Sequence, residues 1–394
     1  MSKLRELIDK YCPNGVEYKP LGDKDVSIMQ RGTSLTKKDS TEGIYPVISG
    51  GKTPAFYCDL SNRNGETITV AGSGAGAGYV QYWNEPIFVC DAFSIKGVGD
   101  VSTKYLYYCL VNMQEKIYAT KKGGGVPHVH ISSIDKFLIP IPPPPVQEEI
   151  VKILDRFAEY AAELQAELQA RQEQYEYYRN KLLTFNEIGG IQGVIWMKMS
   201  EIGTFIRGNG LQKKDFTESG IPCIHYGQIY THYGTFATKT KSYVSSETAK
   251  KCKKAHCGDL VFATVSENID DVCKCVAWLG NEEICISGDS LAFSHNQNPK
   301  YIAYYFQTYA FARYKRSRVT GTKVIRLHQS QLEQFEIPIP SLAEQARIVN
   351  ILDKFERLVS DLVQGLPAEI AAVQEQYEYY RDKLLSFPEY KLSA

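Results

Sequence analysis

A glycine-rich loop at residues 71–78 is the first stretch whose composition could support cofactor chemistry. Gly72, Gly74 and Ala77 follow a β-type run and meet a permissive form of the dinucleotide-binding pattern G-x-G-x-x-A. In that pattern the glycines open a helix whose N-terminus faces the pyrophosphate. Here β-type residues and Pro86 follow instead, and the chain has no GK[ST] of a phosphate-binding loop. The glycines therefore favour a tight turn over a nucleotide site.

A second candidate is the tetrapeptide Asn-Pro-Lys-Tyr at 298–301. It is similar to the Asn/Asp-Pro-Pro-aromatic signature of amino-methyltransferases, but its third residue is lysine, and the related stretch at 104–110 has no Asn-Pro pair. His130 and His328 are single loop histidines, which are more often structural than catalytic. The sequence has no Ser/His/Asp, HExxH or EF-hand spacing. We therefore predict no catalytic residue in this chain.

The cysteines offer a third possibility, a metal site. The chain has ten, of which five lie near His256 between residues 252 and 285. Their spacing does not give the paired CxxC or HxxxH arrangement of structural zinc sites. Reduced thiols packed as small apolar groups are the favoured alternative. We predict neither a metal nor a cofactor in this chain.

Binding chemistry is better represented, in basic residues interleaved with tyrosines and glycines on loops. Lys+Arg and Asp+Glu are equal at 45 each, so the chain as a whole does not attract polyanions and only local clusters can do so. Such clusters suit phosphate contact and base-edge reading, although each could also be solvated surface. The candidate DNA contacts are Arg31, Thr33, Lys37, Lys38, Lys121, Lys122, His128, Arg207, Asn209, Lys213, Lys214, Lys251, Lys253, Lys254, Arg316, Arg318, Thr322 and Lys323.

The chain is a tandem duplication. QEQYEYYRNKLLTF at 172–185 returns as QEQYEYYRDKLLSF at 374–387, and FLIPIP at 137–142 returns as FEIPIP at 335–340. RGTSLTKKD and RGNGLQKKD, from residues 31 and 207, also correspond. The ends of the two copies match closely whereas their middles have diverged. Two copies of a unit of about 190 residues favour a molecule with pseudo-twofold symmetry.

Each copy ends in a long helix. Apolar residues from Ile150 and from Ile348 alternate steps of three and four, which is typical of a coiled-coil seam. We predict that the two helices pair antiparallel, and about 36 residues would span about 54 Å. The first should follow a stiff polyproline stretch, IPIPPPP, and the second a capping box at 341–344. Four extra residues form a stutter at 365–367, where Pro367 predicts a kink or a restart of the helix.

The candidate residues for helix pairing and partner docking belong to these two helices. Most are apolar seam positions, while the second tyrosine and the arginine of each YEYYR lie off the seam and could face a second partner. They are Leu154, Phe157, Leu164, Leu168, Tyr175, Tyr177, Tyr178, Arg179, Leu352, Phe355, Tyr377, Tyr379, Tyr380 and Arg381.

Between the helices, short β-type runs alternate with Gly, Asn and Asp. They lie at 66–72, 78–83 and 86–93, and again at 258–265, 272–279 and 283–293. This pattern predicts a mixed, mostly antiparallel sheet with helices and long loops. The fold class is thus α+β: two pseudo-twofold-related recognition domains joined by two long antiparallel coiled-coil helices. We predict domains at 1–145 and 187–340 and helices at 146–186 and 341–390.

This arrangement resembles the specificity subunit of Type I restriction-modification enzymes. The resemblance rests on the two FxIPIP segments and the helices that follow them, on the doubled YEYYRxKLL, and on GSGAGAGY. It implies a non-catalytic chain in which each recognition domain reads one half of a bipartite, asymmetric site in double-stranded DNA. The helices would set the spacing and dock two modification subunits, to which restriction subunits add, forming a Type I site-specific deoxyribonuclease.

The resemblance also implies where the cofactors lie: S-adenosylmethionine, ATP and Mg belong to the partner subunits. No apolar run approaches the ~18 residues that span a bilayer, so we expect a cytoplasmic protein without membrane contact. Two alternatives remain open. One is a self-contained adenine DNA methyltransferase, which S-adenosylmethionine binding by this chain would favour. The other is a coiled-coil scaffold, which the absence of selective DNA binding would favour.

Overall fold

A computed structural model describes residues 2–123, 125–185 and 194–390. The chain divides into two compact units that do not follow the order of the sequence. Unit one comprises Met1–Ala166 and Gly365–Ala394, and unit two comprises Glu167–Gln364. Both long helices therefore contribute residues to both units. The boundary predicted between residues 186 and 187 lies outside the described residues.

The first copy of the repeat contains nine strands and four short helices before its long helix. The helices are α1 Ser2–Tyr11, α2 Thr103–Asn112, α3 Gln114–Ala119, α4 Ile131–Ile134 and the long α5 Pro144–Leu183. The strands are β1 Glu17–Pro20, β2 Ser27–Arg31, β3 Tyr45–Ile48, β4 Phe56–Cys58, β5 Thr67–Ala71, β6 Val80–Trp83, β7 Phe88–Val89, β8 Ala92–Gly97 and β9 Leu138–Ile141.

In the described part of the second copy, strand β10 (Ile195–Lys198) precedes the first short helix, and the copy has more strands and helices than the first. Its helices are α6 Met199–Ile202, α7 Tyr226–Thr231, α8 Ser246–Lys251, α9 Pro299–Tyr305, α10 Tyr309–Arg316, α11 Gln329–Glu333 and the long α12 Leu342–Leu385. Its strands are β10 Ile195–Lys198, β11 Gly203–Arg207, β12 Phe216–Thr217, β13 Ile221–Ile224, β14 Phe236–Ala237, β15 Ser242–Val244, β16 Lys254–Ala255, β17 Leu260–Ala263, β18 Val265–Ser266, β19 Cys275–Trp278, β20 Ile284–Ile286, β21 Ser290–His295, β22 Ile325–Arg326 and β23 Glu336–Ile339.

The sheets confirm the predicted fold class. Unit one has a four-stranded antiparallel sheet in the order β2-β8-β5-β6 and a three-stranded sheet β4-β3-β7. Unit two has two five-stranded sheets, β11-β21-β17-β19-β14 and β12-β15-β13-β20-β16. Parallel pairing is confined to β3 with β7, β13 with β20 and β14 with β19 among the described strands. The predicted β-type runs all contain strands of these sheets.

A buried apolar core in each unit includes residues from both long helices. In unit one, Ile150 and Leu154 of α5 and Leu384 and Leu385 of α12 join the residues of the sheet. In unit two, the helix residues in the core include Leu183 of α5 and Ile348 and Leu352 of α12. Burial of these leucines stabilises each helix by ~1.5–3 kcal/mol per side chain. The seam therefore also packs the helices against the sheet domains.

Aromatic stacks mark the helix pairing. Phe157 of α5 stacks on Tyr380 of α12 in unit one, with ring centroids 5.6 Å apart. The repeat-related pair, Tyr178 and Phe355, stacks at the same 5.6 Å in unit two. In unit one the Tyr160 hydroxyl also donates to Glu369. Within unit one, the contacts advance along α5 from Phe157 to Tyr160 and go back along α12 from Tyr380 to Glu369. The paired helix segments therefore run antiparallel, as predicted.

The approach to α5 differs from the predicted polyproline stretch. Leu138–Ile141 is strand β9, which pairs antiparallel with β1, and β23 pairs with β10 in the same way. Proline is tolerated there because each sheet has only two strands and both are edges. The helix then begins at Pro144 itself, where the missing N–H costs nothing.

The start and middle of α12 also depart from expectation. The Ser341 hydroxyl accepts the Glu344 N–H at 3.3 Å, but the Glu344 carboxylate pairs with Arg347 at 2.6 Å, so half of the capping box forms. The helix continues through Pro367 from Leu342 to Leu385, which rules out a restart. Pro367 removes one intrahelical hydrogen bond within a 44-residue helix.

Candidate DNA interface

A basic turn recurs in both units at the end of an edge strand. Arg31 ends β2 and Arg207 ends β11, and both are exposed. The following glycines approach backbone closely: a Cβ on Gly32 would lie 2.1 Å from the Cys90 carbonyl oxygen, and one on Gly208 would lie 2.1 Å from the Ser287 carbonyl oxygen. Only glycine allows this approach. The glycine therefore fixes the backbone directly after the arginine, so that each arginine lies at the end of its strand.

Each turn leads into a short 3-10 helix with the sequence KKD. Asp39 is hydrogen-bonded to the Thr36 hydroxyl, and Asp215 accepts the Gln212 N–H at 2.8 Å. Each carboxylate therefore caps its own turn, and the two lysines beside it stay exposed, as does Thr33. These lysines are Lys37, Lys38, Lys213 and Lys214.

Unit two adds a second basic segment against this turn. Asn209 accepts the Lys253 N–H at 2.7 Å, and Gly210 lies against the Lys251 backbone. The side chains of Lys251 and Lys253 are exposed. Structure thus brings together residues 207–214 and 251–253, which are about forty positions apart in sequence. In unit one, the equivalent residues 59–66 between β4 and β5, all of them described, contain no helix that corresponds to the lysine-rich α8.

Three of the candidate cations pair with carboxylates, including Lys251, which lies 3.7 Å from Glu247. Lys254 forms a 2.8 Å ion pair with Glu283, which raises the pKa of Lys254 by hydrogen bonding and charge. Arg316 lies 3.7 Å from Asp270. Across the described ranges, no salt bridge involves Arg31, Lys38, Lys122, Lys213 or Lys323. The side chains of this second group are therefore better able to contact phosphates.

The remaining candidates lie on two hairpins that precede the FxIPIP segments. Lys121, Lys122 and His128 belong to the first, and Arg318, Thr322 and Lys323 to the second. All but Lys121 are exposed, and Lys121 is half-buried because it stacks on Tyr118. The structure therefore presents basic side chains on two kinds of loop in each unit, the RG turn and the hairpin.

A duplicated set of polar contacts clamps each long helix to its sheet domain. The Lys104 ammonium donates to Asp155 of α5 at 2.8 Å, and Tyr108 donates to the same carboxylate. In unit two, Lys300 donates to Asp353 of α12 at 2.7 Å, and Tyr304 lies 2.8 Å from that carboxylate. Burial and the carboxylates raise the pKa values of both tyrosines, so these hydroxyls remain donors at neutral pH.

A buried glutamine adds a second fixing point at the start of each helix. Gln147 accepts the Ser102 N–H at 2.9 Å and donates to the Pro142 carbonyl at 2.8 Å. Gln345 does the same with Asn298 and Pro340, at 2.9 Å in both cases. Sequence reasoning missed both the glutamines and the Lys-Asp-Tyr sets. The available signal was their recurrence at matching positions of the two copies.

The docking candidates divide into buried and exposed groups. Leu154, Leu164 and Leu352 are buried, whereas Phe157, Leu168, Tyr175, Phe355 and Tyr377 are half-buried. The off-seam tyrosines are open to solvent, Tyr177 at 58% and Tyr379 at 60%. Tyr178 and Tyr380 stack within their units, as described above. The exposed tyrosines repeat on the surface of both helix ends.

The arginines of YEYYR do not share that exposure. Arg179 is 9% exposed and donates to Gln307 at 3.3 Å, while its guanidinium lies 5.3 Å from the Tyr175 ring. Arg381 is half-buried and donates to Asn112 at 3.1 Å. Each arginine donates to a residue of the sheet domain in its own unit.

The stretches with catalytic or metal-binding resemblance have structural roles. The glycine loop joins β5 to β6 and opens no helix, as predicted. Asn298 caps α9 by accepting the N–H groups of Lys300 and Tyr301 at 3.1 and 3.3 Å. The described portion of the chain holds no cluster of three or more His, Cys, Asp or Glu that could bind a metal. Its helices include none long and apolar enough to cross a membrane.

Comparison with known proteins agrees with this architecture. The family model described as the Type I restriction modification DNA specificity domain matches residues 13–174 and again residues 194–372. The two matches account for most of the chain and repeat as the sequence does. The chain belongs to this family, and its function is DNA sequence recognition as a specificity subunit, the non-catalytic member of such systems.

Relatives match over nearly their whole length. The Type I restriction enzyme EcoR124I/EcoR124II specificity subunit of Escherichia coli is 30% identical over 98% of this chain and 98% of its own. A putative Type I restriction enzyme specificity subunit of Haemophilus influenzae is 30% identical over 98% of this chain and 100% of its own.

Solved structures share the fold. The S subunit of a Type I restriction-modification system from M. genitalium superposes with a TM-score of 0.55 at 18% identity, covering 94% of this chain and 96% of that one. A chain from a study of complex assembly and conformational transition of the type I R-M system gives 0.60 at 16% identity, covering 95% and 98%.

Proposed function

We propose that each unit reads one half of a bipartite, asymmetric site in double-stranded DNA. The observation that carries this proposal is the contrast within the duplicated unit. The contacts that clamp the helix recur at equivalent positions, as do the RG and KKD residues, while the remaining exposed basic segments differ: unit two adds the lysine-rich helix α8, and the two hairpins have mostly different residues. Equivalent helix contacts combined with different surface loops suit a scaffold that is used twice and that presents a different DNA-recognition surface each time. Phosphate contacts by the exposed lysines would position each unit, and neighbouring side chains would specify the bases.

The long helices would set the distance between the half-sites and hold two modification subunits. The exposed pair Tyr177 and Tyr379 supports this, because each lies at the same place on a helix end and tyrosine is enriched at protein interfaces. Two copies of one surface suit two copies of one partner. Restriction subunits would then complete a Type I site-specific deoxyribonuclease.

In this proposal the chemistry belongs to the partners. S-adenosylmethionine would be bound by the modification subunits, and ATP and Mg would serve the restriction subunits. The assembly would act on DNA in the cytoplasm. Binding of S-adenosylmethionine by the isolated chain would overturn this division of labour and favour a self-contained methyltransferase.

The first experiment is a genome-wide methylation map of the host with and without this gene, its neighbours left intact. The expected result is loss of one split motif, in which two short specified sequences flank an unread gap. A map that is unchanged, from a host in which the modification subunits are expressed and bind the chain, would contradict the proposed role.

A module exchange then tests the assignment of half-sites. Replacing residues 15–136 with the corresponding module of another family member should change one half of the motif and leave the other intact. Replacing the corresponding module of unit two is the matched control and should change only the other half. A chimera that alters both halves together would contradict independent reading.

A further inference from the structure

Each unit carries a glycine hairpin, which we name its tip hairpin: the described residues 122–123 and 125–128 in unit one and residues 320–326 in unit two. Each is closed by a reciprocal pair of backbone hydrogen bonds. Lys122 and His128 exchange bonds of 2.9 and 2.8 Å, and Thr320 and Arg326 exchange two bonds of 2.9 Å. The two stems therefore match although only a few of their residues are identical.

Both tip hairpins are anchored to the core by the residue after the stem. Val129 and Leu327 are fully buried at these equivalent positions. The Val129 N–H donates to the Gly72 carbonyl at 3.0 Å, and the Leu327 N–H donates to the Thr264 carbonyl at 3.2 Å. The glycine loop after β5 thus supplies a carbonyl that holds the tip hairpin of unit one. This contact gives the loop a structural role other than nucleotide binding.

A left-handed glycine fixes each turn. Gly123 has φ +110° and Gly321 has φ +96°. A Cβ at these positions would lie 2.5 Å from the Val126 carbonyl oxygen and 2.1 Å from the Val324 carbonyl oxygen, respectively. A side chain would force either turn open. The valine two residues before the end of each stem is therefore held in a set position.

These two valines are exposed. Val126 is 54% exposed and Val324 is 55% exposed. A single exposed apolar residue is ordinary on a protein surface. Here the same residue type stands at the same place with nearly the same exposure in two hairpins whose other residues mostly differ. Packing within the fold does not account for that recurrence, because neither side chain is in a core cluster.

A tyrosine-stacked cation stands just before each stem. The Lys121 ammonium lies 4.0 Å from the centre of the Tyr118 ring, and the Arg318 guanidinium lies 3.9 Å from the centre of the Tyr314 ring. Cation–π contact restricts a side chain that would otherwise sample many rotamers. The charge is therefore held in place before any partner binds.

The surroundings favour a polyanionic partner over a protein surface. Exposed Lys122 and Lys323 add charge, and the hairpin segments contain no Asp or Glu. Two nearby carboxylates have partners of their own: Asp91 is hydrogen-bonded to the Ser73 hydroxyl, and Asp289 pairs with Arg326 at 3.0 Å. An apolar tip between fixed cations suits a DNA groove, where the thymine methyl group offers an apolar base edge between phosphates.

We propose that both tip hairpins enter DNA grooves, with Val126 and Val324 packing against base edges while Lys121 and Arg318 hold flanking phosphates. This inference rests on the proposed reading of two half-sites and specifies an element that both units use for it. Each valine would then influence specificity in its own half-site only.

Two substitutions in unit two separate the roles. Val324→Ala should weaken binding to the cognate site about fivefold and relax selectivity in one half-site, since a lost base contact costs ~1–3 kcal/mol. Its salt dependence should be unchanged. Arg318→Gln should weaken cognate and non-cognate DNA alike and lower the salt-dependence slope by about one phosphate. Both are measured with the full chain assembled with its modification subunits.

A photocrosslinking residue at position 324 or 126 tests placement directly. Crosslinks to DNA are expected from each position, in opposite half-sites, and none from position 342, a control leucine that is 58% exposed at the start of α12. Crosslinks only to a modification subunit, or unchanged selectivity in Val324→Ala, would overturn the inference. The proposed function itself fails only if the unaltered assembly shows no site-selective binding.

Discussion

The two units hold the long helices with equivalent side chains but differ in what surrounds the helix-end arginine. In unit two, Arg179 is buried beside Gln307, whose amide also donates to Thr235 at 3.1 Å. Thr235 in turn donates to Glu356 at 2.6 Å. In unit one, Arg381 is half-buried, donates to Asn112 at 3.1 Å and lies 5.1 Å from the centre of the Tyr377 ring. Ala158 stands where the repeat would place Glu356.

This comparison shows which parts of a duplicated module can change. The YEYYR sequence is identical in both helices because it packs against a framework that both units share. The residues that accept a hydrogen bond from its arginine lie in the diverged part of the copies. Arg179 therefore joins a chain of hydrogen bonds through Gln307 and Thr235 to Glu356, whereas Arg381 donates to Asn112. The same sequence therefore need not have the same local stability in the two units. Three differences in stability are predicted, in order of decreasing size.

The largest effect is expected where the seam is fully buried. Leu164 is buried in unit one, whereas Leu168 of unit two is half-buried. Leu164→Asp places an unpaired carboxylate in an apolar site and should lower the free energy of unfolding by about 3–4 kcal/mol. Leu168→Asp should cost about 1–2 kcal/mol, because its carboxylate can reach water. Denaturant unfolding of both variants measures the difference, and equal losses would contradict the seam described here.

The second difference concerns the aspartates that clamp the long helices, whose contributions to the free energy of unfolding should differ between the two units. Asp353→Ala leaves the largely buried Lys300 ammonium without its carboxylate, while the Tyr304 hydroxyl keeps Glu356 as an acceptor at 2.6 Å. The free energy of unfolding should fall by about 2–3 kcal/mol. Asp155→Ala should cost about 1–2 kcal/mol, because Lys104 is more exposed than Lys300, at 30% against 17%.

Thermal unfolding of the two aspartate variants tests the order of the clamps. Glu167→Ala is the control, since its ion pair with Arg171 is exposed and should contribute less than about 1 kcal/mol. If Asp155→Ala proved more damaging than Asp353→Ala, burial would not be what sets the strength of the clamp.

The smallest effect depends on pH and belongs to unit two. Burial lowers the pKa of His295 to about 4, and its Nδ1 accepts the Gln297 N–H at 3.1 Å, so the neutral ring is the folded form. The unfolded chain binds a proton at this residue below about pH 6.5. The stability that depends on neutral His295 is therefore complete above pH 6.5 and is lost as the pH falls toward 4, by on the order of 2 kcal/mol.

His295→Gln isolates this contribution. The difference in the free energy of unfolding between the native chain and the variant should shrink as the pH falls from 6.5 to 4.5. In the strand pairing of unit one the corresponding position is Gly97, so unit one has no titrating ring at this position. A difference that stays constant for His295→Gln would show that the ring is protonated in the fold.

Much of the fold was readable from the chain. The duplication, the two long helices, the β-type runs between them and the aromatic seam are local or periodic signals, so QEQYEYYR and the alternation from Ile150 predicted them directly. The exposed KKD lysines were also readable, because an aspartate three residues along can cap its own turn. The functional class followed from the same repeat.

Other features were decided by contacts distant in sequence. Leu138–Ile141 becomes a strand because β1 supplies a partner more than a hundred residues away, although its prolines suggested polyproline. Arg179 is buried because residues 235 and 307 surround it. Lys253 joins the RG turn through Asn209. No local pattern encodes these pairings, since each depends on packing of elements that the tertiary fold alone brings together.

The sequence by itself therefore determined that the protein is built twice, where its helices lie and which residue types it can offer to DNA. Only the tertiary structure decided that each unit is completed by segments of both long helices, which lysines remain free of carboxylates, and that two glycine hairpins present the same exposed valine. Hydrophobic periodicity is written along the chain, whereas burial and charge pairing depend on neighbours that folding assembles.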